Sequence, residues 1–442
     1  MLPLGKTQIS LVFRSLIRIF AHEMRYNTAT LPSGLRVIHL PSPSPVVYCG
    51  YQIAAGTRHE LPGEEGLAHF CEHVTFKGTE RRTALEVINT LEEVGGELNA
   101  FTNKESTTFY AAVLKDYFAE AADLLTDIVF HSQYPQEEID KEIEVICDEI
   151  ESYNDTPSEL IYDEFENILF KGHPLGHNIL GEADHLRTYT TADALRFTRR
   201  NYRPDNAIFF VYGMETLPQK TLPWETLPWP LPGREASIYS QAENTVEKLT
   251  TPLPTREGPG ESILIRHRNT HQAHVMTGTR TFGYHDERRM PLYLLNNLLG
   301  GPGMNARLNL SLREKNGLVY TVESNMTTYS DTGLWSVYFG CDAEDIEQCR
   351  ELVRRELDGV MQQPLTAEQL KKAKLQLKGQ LAIACDNREQ FALDFSKSFL
   401  HYGWERNLDE LMARIDAVTA EQIWQVAQEL FAPDKLITLI YK

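Results

Sequence analysis

His69-Phe70-Cys71-Glu72-His73 lies inside the apolar-periodic stretch Gly66-Leu67-Ala68-His69-Phe70-Cys71-Glu72-His73-Val74-Thr75-Phe76. On a helix, side chains three and four residues apart share a face, so His69 and His73 point the same way with Glu72 beside them. Two imidazoles four apart suit a tetrahedral zinc ion, and a carboxylate within the same turn can take a proton from a water the metal activates. The order is H-x-x-E-H, the inverse of H-E-x-x-H. Two histidines do not complete a metal site, so a third ligand must come from elsewhere in the chain.

Downstream, Gln136 to about Tyr153 reads as a long helix that stops near Asp155-Thr156-Pro157. It carries Glu138, Glu142, Glu144, Asp148, Glu149 and Glu151. These carboxylates compete for the third position, and most must form a solvated face. Glu142 and Glu149 are two turns apart on one side, while Val145 and Ile146 between them read as core-facing.

The elements around these helices follow a plan. Asn27 to Leu35 reads as a strand and turn, and residues 35–56 as a β-hairpin about Pro41-Ser42-Pro43-Ser44-Pro45. A helix from Thr83 to Val94 ends at Gly95-Gly96, then residues 97–114 make two strands. Helices follow over Asp116–His131, Gln136–Tyr153 and Ser158–Phe170, then a Gly/Pro/His loop over Gly172–Gly181, a helix through Arg200 and the strand Ala207–Tyr212. The chain ends the same way, with a helix opening at Thr419-Ala420-Glu421, then Pro433-Asp434 and the strand Leu436–Tyr441. Ala367-Glu368-Gln369-Leu370 opens a long helix as Gln136-Glu137-Glu138-Ile139 does. This repetition of order marks an internal duplication. Placing Ile139 on Leu370 sets an offset of 231, which puts Ala373 opposite Glu142 and Gln380 opposite Glu149. No second H-x-x-E-H exists, so only the first copy can hold a metal.

The expected organisation is a 1–23 extension, a catalytic unit over 24–213, a Pro-rich linker over 214–254 and a metal-free homologous unit over 255–442. At 442 residues the chain is too long for one ordinary core. A formal charge of −19 argues against a nucleic-acid partner, since phosphates need a basic face. No apolar run approaches the ~18 residues of a membrane span. Six cysteines without C-x-x-C pairs fit reduced, buried thiols, Cys71 among them as a small core residue. His173 and His177, beside Pro174 and Gly176, read as structural loop residues rather than ligands. In residues 1–23, Lys6, Arg14 and Arg18 interrupt apolar stretches with no acid before Glu23. Such a segment fits either an organellar presequence or a start set too early, with Met24 the true beginning. The expected location is cytoplasmic, or organellar or periplasmic if that segment is a targeting signal.

H-x-x-E-H followed by the glutamate-rich E-x-x-V-I-x-D-E-I helix that ends in N-D-T-P resembles the pitrilysin/insulinase family of inverted zinc metallopeptidases, especially its half-size members and the mitochondrial processing peptidase. The resemblance covers nearly the whole chain from Met24. It implies an α+β fold of two duplicated domains, each a mixed β-sheet covered by helices. It also implies one Zn2+ per chain held by His69, His73 and Glu149, with Glu72 as general base and Glu142 supporting a ligand. Gly95-Gly96-Glu97-Leu98-Asn99-Ala100-Phe101-Thr102 looks like the family's edge strand, where Asn99, Ala100 and Phe101 would meet an extended peptide. Leu312–Tyr320 resembles the second domain's Arg/Tyr pair, here Arg313 and Tyr320, and Gly300-Gly301-Pro302-Gly303-Met304 its Gly-rich turn, with Pro302 a departure. The implied activity is that of a zinc endopeptidase on short or unfolded peptides, closing its two domains over the substrate about the linker. The alternatives within the family are a presequence-processing peptidase and a non-catalytic scaffold subunit. The resemblance also implies a dimer, since half-size members of the family work as dimers, either identical or paired with a metal-free partner; because this chain carries both the metal set and the Arg/Tyr pair, the expected assembly is a homodimer.

Overall fold

In the computed structural model the described residues are 25–218, 222–223, 227, 262–268 and 270–442. The expected extension, 1–23, and most of the 214–254 linker lie outside them. The first half runs β1 (Asn27–Thr30), β2 (Arg36–Leu40), β3 (Val46–Ile53), α1 (Leu67–Thr75), α2 (Ala84–Glu92), β4 (Glu97–Thr102), β5 (Thr107–Leu114), α3 (Phe118–His131), α4 (Gln136–Asn154), α5 (Pro157–Leu169), the single turn α6 (Ala183–Leu186), α7 (Thr191–Asn201) and β6 (Ala207–Tyr212). The second runs β7 (Ser262–Arg266), β8 (Ala273–Phe282), α8 (Arg289–Gly300), a π-helical turn at Asn309–Glu314, β9 (Val319–Thr328), β10 (Thr332–Cys341), α9 (Ile346–Gln362), α10 (Ala367–Ala384), α11 (Arg388–Tyr402), α12 (Leu408–Ala417), α13 (Ala420–Leu430) and β11 (Ile437–Tyr441).

Local chemistry sets several boundaries. Thr83 and Glu86 form a capping box that starts α2: the Thr83 hydroxyl accepts from Glu86 N, and Glu86 Oε2 accepts from Thr83 N at 2.8 Å. Thr366 and Thr419 do the same for α10 and α13. Pro157 cannot continue α4 and instead opens α5 from its first position, where the missing N–H costs nothing.

Two sheets result, with strand orders β1-β2-β6-β3-β5-β4 and β7-β11-β8-β10-β9. In each, one pair is parallel (β2 with β6, β7 with β11) and the rest are antiparallel. Strand by strand, β2, β6, β3, β5 and β4 take the places of β7, β11, β8, β10 and β9, so the duplication extends to pairing order. One expectation fails here. Residues 35–56 do not form a hairpin, because β6 lies between β2 and β3, with Arg36 opposite Ile208 and Ile53 opposite Ala207. The reason is burial on both faces: β6 is Ala-Ile-Phe-Phe-Val-Tyr, buried throughout except at Tyr212, and such a strand belongs in the middle of a sheet.

Alternate residues of β6 feed different cores. Phe209 and Val211 join the first half's own helices, with Tyr51, Phe70 and Leu124. Ile208 and Phe210 face the opposite way and pack with Phe391, Phe395, Phe399 and Leu400 of α11, which comes from the second half. The exchange is reciprocal. Leu160, Ile161, Phe165 and Leu169 of α5 pack on Met276, Leu334, Tyr338 and Leu439 of the second sheet. Polar contacts fasten both helices: Tyr162 donates to Glu323 at 2.5 Å, and Tyr110 to Glu389 at 2.6 Å. Burying four large apolar side chains contributes about 6–12 kcal/mol per helix as an upper estimate. That is comparable to the net stability of a whole domain. The two halves are therefore joined by interlocked helices as well as by the chain between them, which corrects the picture of two bodies hinged on a linker alone. A polar latch adds to this: Arg58 reaches Asp331 at 2.7 and 2.5 Å, and Glu105 accepts from Ser330 N at 3.1 Å.

All six cysteines are free, and five are buried, including Cys71. Among the described residues no helix is long and apolar enough to cross a membrane.

Candidate metal centre

Helix α1 buries Leu67, Ala68, Phe70, Cys71 and Val74 in the first core, which leaves His69, Glu72 and His73 on the side facing α4. The core face of α4 is set by Ile139, Ile143, Ile146 and Cys147. One residue back from Ile146 is a turn of 100°, so Val145 points away from that core. It is 52% exposed on the side of Glu142 and Glu149, contrary to the core-facing expectation.

His69, His73 and Glu149 come together. Glu149 Oε2 lies 3.3 Å from His73 Nε2 and 3.8 Å from His69 Nε2. The imidazole rings are 4.6 Å apart, edge to face. Glu142 Oε1 sits 2.9 Å from His73 Nδ1, and its Oε2 pairs with Lys77 Nζ at 2.5 Å. With Nδ1–H donated to Glu142, His73 Nε2 presents a lone pair to the carboxylate oxygen of Glu149. That contact is repulsive unless a proton on Nε2 or a metal cation lies between the two atoms, and the protein offers the place to either. Zn–N bonds of about 2.1 Å in a tetrahedron put ligand atoms ~3.4 Å apart, close to what is seen. Among the described residues these three form the one group of His, Cys, Asp or Glu suited to hold a metal, with ligand atoms all within 4.8 Å of one another. The donor set fits zinc.

The electrostatics agree with this fit. Burial, aided by the neighbouring His73, lowers His69 to about 4, so it is a neutral imidazole at pH 7. Its Nδ1 is buried with no hydrogen-bond partner among the described residues. Burial opposes charge on His73, but Glu142 and Glu149 overcome it and raise this residue to about 9, which measures how negative the site is. Glu72 is 8% exposed, and burial raises it to about 7 despite the hydrogen bond it accepts from Thr102 Oγ1 at 2.6 Å. A carboxylate poised near neutrality suits proton transfer.

The remaining expected residues occupy two places. Asn99, Ala100 and Phe101 lie on β4, the terminal strand of the first sheet, Asn99 exposed and the other two half-buried. Alternation puts Leu98, Ala100 and Thr102 on the Glu72 side, and Asn99 and Phe101 on the other, where Phe101 meets Tyr110 at 6.2 Å. Arg313 is in the π-helical turn and Tyr320 is the second residue of β9, 80% exposed, with the guanidinium 5.6 Å from the ring centre. Among the described residues, neither makes a hydrogen bond or ion pair to the first half. In the second half, Ala373 and Gln380 stand on α10 where Glu142 and Glu149 stand on α4. Between them on the same helix, Gln376 pairs amide to amide with Asn305 through hydrogen bonds of 3.1 and 3.0 Å.

Three contributors escaped the sequence reading. Thr102 holds Glu72, Lys77 holds Glu142, and Glu60 accepts from Gly66 N and Ala68 N at the start of α1. Two had a signal: Thr102 continues the Leu98, Ala100 alternation, and Lys77 follows His73 by four; Glu60 had none, because Glu64 and Glu65 stand nearer the helix start at Leu67.

Comparison with known proteins agrees with this geometry. The family model described as insulinase, peptidase family M16, matches residues 36–183, and that described as the peptidase M16 inactive domain matches residues 188–377. An uncharacterized zinc protease of Bacillus subtilis is 31% identical over 93% of this chain and 97% of its own length. One from Streptomyces coelicolor is 32% identical over 93% and 88%. In fold, a protease from Helicobacter pylori superposes with a TM-score of 0.80 at 21% identity, covering 95% of this chain and 99% of that one. A peptidase M16 inactive domain protein from Pseudomonas fluorescens gives 0.79 at 19% identity, over 94% and 98%. With both family domains matched in order and relatives of nearly full length above 30% identity, the chain belongs to the insulinase family, peptidase family M16.

Proposed function

We propose that this protein is a zinc-dependent endopeptidase acting on short or unfolded peptides. The observation that carries the reading is the convergence of His69 Nε2, His73 Nε2 and Glu149 Oε2, with the Glu72 carboxyl beside them at about 7. His69, His73 and Glu149 would hold the zinc, whose Lewis acidity would activate a water and polarise the scissile carbonyl. Glu72, fixed by Thr102, takes the proton from the attacking water and delivers it to the departing amine as the C–N bond breaks. Glu142 keeps the His73 imidazole in the orientation and tautomer that present Nε2. The outer edge of β4 has no strand partner among the described residues, so an extended peptide can add there beside Asn99, Ala100 and Phe101. Arg313 and Tyr320 from the second half steady the substrate carbonyl and the oxyanion that forms. Extended binding at a sheet edge selects against folded substrates. Half-size members of the family work as dimers, and since the metal set and the Arg313/Tyr320 pair are on one chain, two identical copies suffice and no different subunit is required.

The test is incubation of the purified protein with a random peptide mixture, with and without a chelator. Cleavage that the chelator abolishes and zinc restores is expected; a mixture left intact at stoichiometric zinc overturns the assignment. Sedimentation of the same sample reads the assembly, and activity that appears only with a second, different subunit overturns the homodimer.

A further inference from the structure

The segment between β3 and α1 is built more closely than a connection needs to be. Glu60, its side chain 1% exposed, accepts from Gly66 N at 3.1 Å and Ala68 N at 2.7 Å, among the N–H groups that a helix start leaves unpaired. Its Oε2 is also 2.8 Å from His177 Nε2, and that nitrogen lies 3.1 Å from the Thr57 carbonyl. The His177 carbonyl in turn accepts the ammonium of Lys104, a lysine only 2% exposed, two residues beyond Thr102. Backbone bonds close the circuit: Thr57 N donates to Asn103 O at 3.2 Å, and Arg58 N to Lys104 O at 2.8 Å. At Gly56 a Cβ would come within 2.0 Å of Asn103 O, so no other residue fits there without moving the turn after β4. The loop carrying His177 is pressed equally hard on the helix start, for a Cβ on Gly66 would meet Gly181 Cα at 2.7 Å.

A plain helix cap needs one acceptor and no imidazole. Here three donors from two segments converge on one buried carboxylate. One side of it holds the first turn of the helix that carries His69. The other side, through His177 and Lys104, holds the strand that carries Thr102 and accepts the peptide. We infer that Glu60, clamped by His177, is a positioning residue that fixes the metal helix against the peptide-accepting strand. Glu60 touches neither substrate nor metal; it acts by keeping His69 and Glu72 in register with the strand edge. The inference rests on the zinc-peptidase reading for its purpose, while its metal readouts need no peptide.

The experiment compares the full-length parent with Glu60→Gln, His177→Ala and His177→Gln. Glu60→Gln keeps the volume but leaves one oxygen where three donors converge, and His177→Gln, unlike His177→Ala, returns an N–H near the lost Nε2. Expected for Glu60→Gln and His177→Ala are a native circular-dichroism spectrum, zinc affinity weaker by about tenfold, an altered visible spectrum of the cobalt-loaded protein, and kcat down by about tenfold with KM unchanged. His177→Gln should recover most of each. Zinc affinity, cobalt spectrum and kcat all within twofold of the parent in both impaired variants would overturn the inference, as would His177→Gln behaving no better than His177→Ala. Should Glu60→Gln not fold, the two His177 variants decide. If the zinc-loaded parent cleaves nothing, the peptidase reading fails by itself, and zinc affinity and the cobalt spectrum still judge the positioning role.

Discussion

Glu142→Gln tests the metal centre without touching a ligand. Glu142 is 8% exposed and receives His73 Nδ1–H at 2.9 Å and Lys77 Nζ at 2.5 Å. Gln has one acceptor oxygen and cannot serve both donors without turning its own N–H2 toward one of them. A hydrogen bond to a charged group is worth about 1.5–3 kcal/mol net when buried. At 1.4 kcal/mol per decade, losing the one to the ligand imidazole weakens zinc binding by roughly 10- to 150-fold, in line with the 10–100-fold typical of residues behind a metal ligand. The assay is competition against a fluorescent chelator of known affinity, on protein shown to be folded. Lys77→Met is the control: it removes the cation that draws on Glu142, so the carboxylate polarises His73 more strongly and zinc binds as well as before or better. A Glu142→Gln affinity within threefold of the parent, or an equal loss in Lys77→Met, would refute the role given to Glu142.

Three further outcomes are expected. Glu72→Gln should retain zinc and lose about 10²–10⁴-fold in kcat, the usual share of a general base; peptide turnover at the parental rate would remove Glu72 from that role. Phe395, fully buried on α11 with its ring edge-on to Phe210 at 6.3 Å and Tyr212 at 6.1 Å, should cost about 3–5 kcal/mol when cut to Ala, read from urea unfolding. Leu375→Ala, at a position 52% exposed, should cost well under ~1 kcal/mol, so equal losses would deny α11 its part in the first sheet. Glu166, half-buried on α5 where it accepts from Tyr329, has its carboxyl raised by desolvation, against the opposing pull of Lys104. A raised carboxyl adds stability that is present below its ordinary value of 4.5 and is lost as pH climbs through the folded value. Glu166→Gln keeps an acceptor and sheds that loss, so its melting temperature relative to the parent should rise between pH 4.5 and 7; a flat difference would contradict the burial argument.

What was legible in the residues was whatever depends on local period and caps. Thr83 with Glu86, Gly95-Gly96 and Pro157 announce boundaries because capping and proline chemistry act within a few residues. Repetition of element order revealed the duplication, and the His69, Glu72, His73 triplet shows on one helix because four-residue spacing is a geometric statement. Pairing across the sheet was not legible. Placing β6 between β2 and β3 depends on a strand more than 150 residues downstream, and nothing near Pro41–Pro45 reports it. Val145 misled for a subtler reason: beside Glu149 the open face of α4 is also the face of the site, so an apolar residue there is no sign of a core. The destinations of α5 and α11 were hidden too, since Phe391, Phe395 and Phe399 declare an apolar stripe without saying which sheet it covers.

The interlocked helices bear on how this chain is made. Ile38, Ile208 and Phe210 leave the ribosome with the first half, but the helix that covers them ends about 190 residues after β6. At 5–20 residues per second that greasy surface stays bare for roughly 10–40 s of translation. During that interval the nascent chain is a client for a chaperone, and a truncation between the halves would make the condition permanent. For the same reason, a gene cut in two at the middle should yield soluble protein only when both pieces are synthesised together.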